Sequence, residues 1–142
     1  MNLTRKFSVI ALMGLLTLAV ACSFNVSTAN IGGLKLGKDK EMQQETKTFE
    51  STDTIYAAIV ISSNPGDVTV KGRLHVVEVE GQKAGPIPGL EMAVKMQGAG
   101  TANINFSQPN NGWPSGKYKF EALMLNEEGE QKDAKSQEFT VN

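Results

Sequence analysis

Cysteine is nearly absent: the 142-residue chain has one, Cys22. A lone cysteine forms no internal disulfide, so the fold must stand on its apolar core. Histidine is also single, His75, which excludes a histidine-rich zinc site and gives a nucleophilic triad no support from neighbouring residues. The chain carries no cluster of lysine and arginine, and its formal net charge of −1 argues against nucleic acid as a partner. Nor is there an amphipathic helix of useful length, an EF-hand loop, a phosphate-cradling glycine loop or a dinucleotide motif. No reaction chemistry is legible, and the expectation is a protein that is not an enzyme and uses neither cofactor nor metal.

What is present begins with "MNLTRKFSVIALMGLLTLAVA", residues 1–21. Arg5 and Lys6 precede an apolar run from about Val9 to Val20, closed by Ala19-Val20-Ala21. This is the three-part pattern of a bacterial export signal. The run is too short for a transmembrane helix, which needs roughly 20 apolar residues. "LAVAC" resembles the lipobox of bacterial lipoproteins, with Ala19 where the family prefers leucine and Leu18 one step earlier. Ala19-Val20-Ala21 also satisfies ordinary signal cleavage, and both readings cut between Ala21 and Cys22. The remaining alternative is an uncleaved anchor. The resemblance implies that Cys22 is lipidated and becomes the mature N-terminus. Ser23, which is not aspartate, implies passage to the outer membrane if the organism has two. Cleavage removes Arg5 and Lys6 and leaves a mildly acidic chain of one domain, long enough to bury a core without disulfides. Residues 22–30 read as the lipidated cysteine and a polar tether, "SFNVSTAN", and residues 31–142 as the domain.

From Ile31 onward the pattern is β. "IGGLKLGK" is a first strand, "KDKEMQQET" a loop, "TKTFES" a short extended piece, and "DTIYAAIVIS" a strand buried on both faces. "NPGD", 64–67, is a turn by composition. In "VTVKGRLHVVEVE" the apolar phase runs through Val68, Val70, Leu74 and Val76, then slips to Val77 and Val79, which predicts a bulge near Val76-Val77. "GQKAGPIPG", 81–89, is a Gly/Pro loop. Leu90, Met92, Val94 and Met96 then form an apolar row assigned to core packing; a copper site on the two thioethers is the sharper alternative. Ala102, Ile104 and Phe106 make another row, followed by Tyr118, Phe120, Ala122 and Met124. "NEEGE" is a hairpin tip whose carboxylates, Glu127, Glu128 and Glu130 with nearby Asp133, are solvated. "SQEFTV", 136–141, is the last strand. Seven or eight strands joined by turns predict an all-β, immunoglobulin-like antiparallel sandwich.

"NGWPSGKY", 111–118, holds the only tryptophan. Trp113-Pro114-Ser115-Gly116 fits a type I turn, and Tyr118 falls where such sandwiches bond a tyrosine hydroxyl back to the nearby backbone. The expectation is a structural corner; the alternative is an exposed platform on which Trp113, with a polar edge, meets a sugar or a peptide. His75 points away from the core beside Arg73 and Lys71.

The segments "LKLGKD" (34–39), "FESTDTIYAAI" (49–59) and "GWPSGKYKFEALMLNEEGEQKDAKSQEFTV" (112–141) make the chain similar to bacterial envelope lipoproteins and surface proteins with a single immunoglobulin-like domain. It departs where such domains carry a tryptophan, in the strand at 68–79, and has Leu74 and Val76 instead. The resemblance implies no catalytic residues. The functional expectation is a lipid-anchored, palmitate-type lipoprotein of the cell envelope that binds a protein or assists assembly. The alternative is a carbohydrate-binding or protease-inhibitor-like module using exposed loop aromatics. The loop 81–89 and the turn 109–116 are the surfaces to inspect.

Overall fold

The computed structural model describes residues 29–62 and 66–142. The expected signal, Cys22, the expected tether as far as residue 28, and Asn64 and Pro65 of the expected turn lie outside the described residues. Among the described residues there are eight strands and no helix: β1 (Asn30–Gly37), β2 (Thr48–Phe49), β3 (Ile55–Ser62), β4 (Asp67–Val79), β5 (Gly85–Gln97), β6 (Gly100–Phe106), β7 (Gly116–Leu125) and β8 (Gln131–Val141). They form a three-stranded sheet, β1-β3-β6, and a five-stranded sheet, β2-β8-β7-β4-β5. This is an immunoglobulin-like β-sandwich. All pairings are antiparallel except one: β2 runs parallel to β8, Phe49 beside Val141.

Alternation builds the core. On β3 Ile55, Ala57, Ile59 and Ile61 turn inward, and Ala58 is covered on the other face as well. They meet Val68, Val70, Leu74 and Val76 of β4 and Tyr118, Phe120, Ala122 and Met124 of β7. β4 has no tryptophan, and Gly72 leaves space instead: a Cβ there would lie 2.6 Å from Phe120 Cζ and 2.8 Å from Ile104 Cδ1. Aromatic volume therefore enters from β7 and β6, where the Phe120 and Phe106 rings sit 6.3 Å apart. The expected bulge is present. Val76 pairs with Tyr118 and Glu78 with Lys117, so Val77 is the extra residue and Val79 returns to the core.

Three expectations are corrected. The loop at 81–89 is partly strand, because β5 starts at Gly85 and pairs Gly85 with Val76 and Pro86 with His75 before resuming at Glu91 opposite Arg73. Residues 87–90 arch out between these two stretches. Proline is tolerated there because β5 is an edge strand, with one side that needs no ladder donor. The row Leu90, Met92, Val94 and Met96 is not core. It faces inward, but the smaller sheet is three strands wide and leaves it half-covered, with Met92 44% exposed. Finally, β8 starts at Gln131, five residues before the expected position, since its polar first half is held by β7 rather than by burial.

β3 ends at Ser62, β4 begins at Asp67 and the link 98–99 joins β5 to β6 at the end where Asn30 enters, here named the entry end. The segments 38–47, 50–54, 80–84 and 107–115 gather at the opposite, corner end.

Candidate binding site at the corner end

The segment 107–118 is fastened by backbone and side-chain bonds of its own. The Gly112 N–H donates to Pro109 O at 2.8 Å, so the hydrogen-bonded turn spans 109–112. The hydrogen-bonded turn expected at 113–116 is thus found four residues earlier, and the Trp113 N–H donates across the corner to Ser51 O at 2.8 Å. Gly112 has φ +74°, and a Cβ on it would lie 3.0 Å from the Ser51 carbonyl oxygen, so glycine is required on both counts. Gly116 meets the same demand: φ is +150° and a Cβ would sit 2.5 Å from Glu78 O.

The aromatics are buried and saturated. Trp113 is 3% exposed and its Nε1–H donates to Asp53 O at 2.8 Å. The Tyr118 hydroxyl donates to Pro114 O at 2.7 Å, the tyrosine corner that the sandwich favours. The rings then pack in series. Trp113 meets Tyr118 edge-on at 6.4 Å, Tyr118 stacks on Phe139 at 5.5 Å, and Phe139 meets the edge of Phe49 at 5.3 Å. Burial raises the Tyr118 pKa. The exposed aromatic platform is therefore not formed, since both rings are largely enclosed and both polar edges are already bonded within the corner.

Asp53 fixes the base of the corner. Its carboxylate accepts the Glu50 N–H at 2.7 Å and pairs with Lys38 Nζ at 2.9 Å. Partial burial works against its charge, but the Glu50 N–H and the Lys38 ammonium outweigh it and lower its pKa.

Against this rigid corner lies the start of β5. Ile87 and Leu90, with Pro109, Trp113 and Pro114, line a depression of about 300 Å³, which Gln82 and Asn111 rim with amides. The loop 81–89 and the turn 109–116, both singled out from sequence, thus meet at one place. Two broader hollows exist, about 630 Å³ beside Asp67, Lys95 and Glu127 at the entry end and about 710 Å³ beside Lys35, Glu45 and Lys47. Both are walled largely by flexible charged or amide side chains, so size does not make them the better site; ligand sites are preformed and mostly apolar.

The other candidates lie elsewhere. His75 is on the outer face of the larger sheet, as expected, but it is not a free surface residue. Glu121 Oε2 lies 2.7 Å from His75 Nε2 and accepts the Arg73 Nε–H at 2.6 Å. The Arg73 hydrogen bond, helped by His75 and opposed by partial burial, lowers the Glu121 pKa. Asp133 is likewise not simply solvated: its carboxylate accepts the Ile31 N–H at 2.8 Å and pins the entry of the domain to β8. Among the described residues no three His, Cys, Asp or Glu side chains gather closely enough to hold a metal ion, and no helix is long and apolar enough to cross a membrane. Ala21 and Cys22 lie outside the described residues. Sequence reasoning missed Ser51 and Asp53, the backbone acceptors of Trp113, because a contact across 60 positions leaves no local signal.

No protein-family model and no curated protein sequence matches the chain. The structure is similar to the crystal structure of the PmoD soluble domain from Methylocystis sp., with a TM-score of 0.43 and 17% identity over 77% of this chain and 89% of that one.

Proposed function

We propose that the chain is a membrane-tethered, non-catalytic lipoprotein of the bacterial envelope whose sandwich binds a protein partner at its corner end. In an organism with two membranes the anchor lies in the outer one. One juxtaposition supports the reading: the two Gly/Pro segments converge on an apolar depression whose base is rigid. A base locked by the Trp113 and Tyr118 hydrogen bonds loses little conformational freedom on binding, which favours a preformed pocket for an apolar side chain. The lipobox-like "LAVAC" supplies the tether. Its eight residues reach about 28 Å at most. The depression lies toward the opposite end of the sandwich from Asn30, with Ile87 and Leu90 beside Leu74 of β4. A carbohydrate-binding or protease-inhibitor-like reading lacks the exposed aromatic it needs, since Trp113 is 3% exposed.

Two measurements on the full chain in cells test the parts separately. Mass spectrometry of the mature N-terminus is expected to find Cys22 acylated; an unmodified terminus removes the tether. A photo-crosslinking residue at Ile87 is expected to give a discrete product with another envelope protein. If Ile87 gives no more product than the same residue at exposed Lys135, the site is wrong.

A further inference from the structure

The edges of the two sheets are not alike. β2 is two residues long, and β1 is tied to β8 through Ile31 and Asp133. Among the described residues β5 is the last strand of the larger sheet, and it pairs regularly with β4 from Glu91 to Gln97. An edge of this length is a template for another strand unless it is blocked. Its side chains divide by face. Met92, Val94 and Met96 sit opposite Gly72, Val70 and Val68, on the inner face; Glu91, Ala93 and Lys95 sit on the outer face. Met92 is the exposed large hydrophobic among the described residues.

We propose that two copies of this chain associate through β5, antiparallel and edge to edge, about a two-fold axis at Ala93, joining their larger sheets into one of ten strands. A dyad perpendicular to the sheet keeps inner faces together, so only residues of the same face oppose each other. Every residue of the regular stretch is such a centre; those on Glu91 and Lys95 put like charges on the axis, and those on Met96 and Gln97 carry Glu91 past the stretch. Centred on Met92, Glu91 meets Ala93 and the lysine meets Gly89. Centred on Val94, Lys95 meets Ala93 and Glu91 meets Gln97. Centred on Ala93, Glu91 of each copy meets Lys95 of the other, and Met92 of each meets Val94 of the other. That register alone pairs both charges and both apolar residues, and it puts the small Ala93 side chain on the axis. The Lys95 that shields the edge from other strands thus finds its complement in a second copy. β6, the neighbouring edge of the smaller sheet, has Thr101, Asn103 and Asn105 on its outer face and no charge with which to set a register. Without Arg5 and Lys6 the formal net charge is 12 − 15 = −3, a modest repulsion between copies. The dyad brings the two chains in at opposite ends of the joined sheet. The proposal stands apart from the partner site at Ile87.

The test is disulfide capture of the full chain in cells under mild oxidant. Ala93→Cys is expected to give a product of twice the chain mass, well above both the parent chain, which carries only Cys22, and Thr101→Cys on β6. Lys95→Glu in the Ala93→Cys background sets two like-charge pairs across the axis and is expected to lower capture about tenfold. Glu91→Lys with Lys95→Glu exchanges the signs and is expected to restore it. Equal capture from positions 93 and 101, no rescue by the charge exchange, or a product of another mass would each overturn the proposal.

Discussion

At the scale of single residues, the corner depends on hydrogen bonds that close short loops and on glycines that let backbones approach. Tyr118→Phe removes the bond to Pro114 O and keeps the ring stack on Phe139, so it is expected to cost ~1 to 2 kcal/mol in urea unfolding. Gly72→Ala is expected to cost ~1 to 3 kcal/mol, because its Cβ would press on Phe120 and Ile104 from within the core. Gly66→Ala, whose Cβ would meet nothing within 4 Å, is the control for glycine itself. Glu121 makes a pH-dependent contribution. Its pKa is depressed in the folded state, chiefly by the Arg73 hydrogen bond, so the stability it adds is present above the ordinary glutamate pKa. That stability is lost as pH falls through the folded value. Glu121→Gln is therefore expected to lower stability at neutral pH by on the order of 1 kcal/mol, a figure discounted because Arg73 is about a third exposed. The difference between variant and parent should close in strong acid, and parallel urea titrations across the acid range would show it.

At the scale of elements, register was legible wherever one face is buried, because a one-residue slip turns a whole row of side chains around. The phase change at Val76-Val77 marked the bulge correctly for that reason. Deleting Val77 leaves Val76 and Val79 inward with one residue between them, so the variant is expected to stay cooperative. Deleting Lys71 instead turns Val68 and Val70 out of the core and should abolish the unfolding transition; circular dichroism melts of the two deletions separate them. β5 misled because its pattern is that of a core strand while its place is an edge. Alternation reports which way a side chain points and not what lies opposite, and here the smaller sheet ends before covering it.

At the scale of the whole molecule, the sandwich closes through its last strand. Phe139 lies between Tyr118 and Phe49, and Val141 sits beside Phe49 in the single parallel pairing. Truncation after Glu138 removes this clasp and two core side chains, and is expected to leave a chain without protected amides in hydrogen exchange. Burial of Trp113 gives an optical readout of the same closure. Its emission should be blue-shifted and shielded from iodide in the native domain, and should become red-shifted and quenchable once the corner end opens.

Composition and alternation by themselves determined the all-β class, the strand rows, the bulge and the role of Tyr118, because each depends on local geometry: a period of two, a phase slip, a corner residue four positions after its proline acceptor. Only the tertiary structure decided that Trp113 is enclosed, that Glu121 holds His75 and Arg73, and that residues 81–90 and 109–116 share a depression. Those contacts join positions far apart in the chain, and their existence depends on how two sheets of unequal width overlap, a quantity that no stretch of sequence carries.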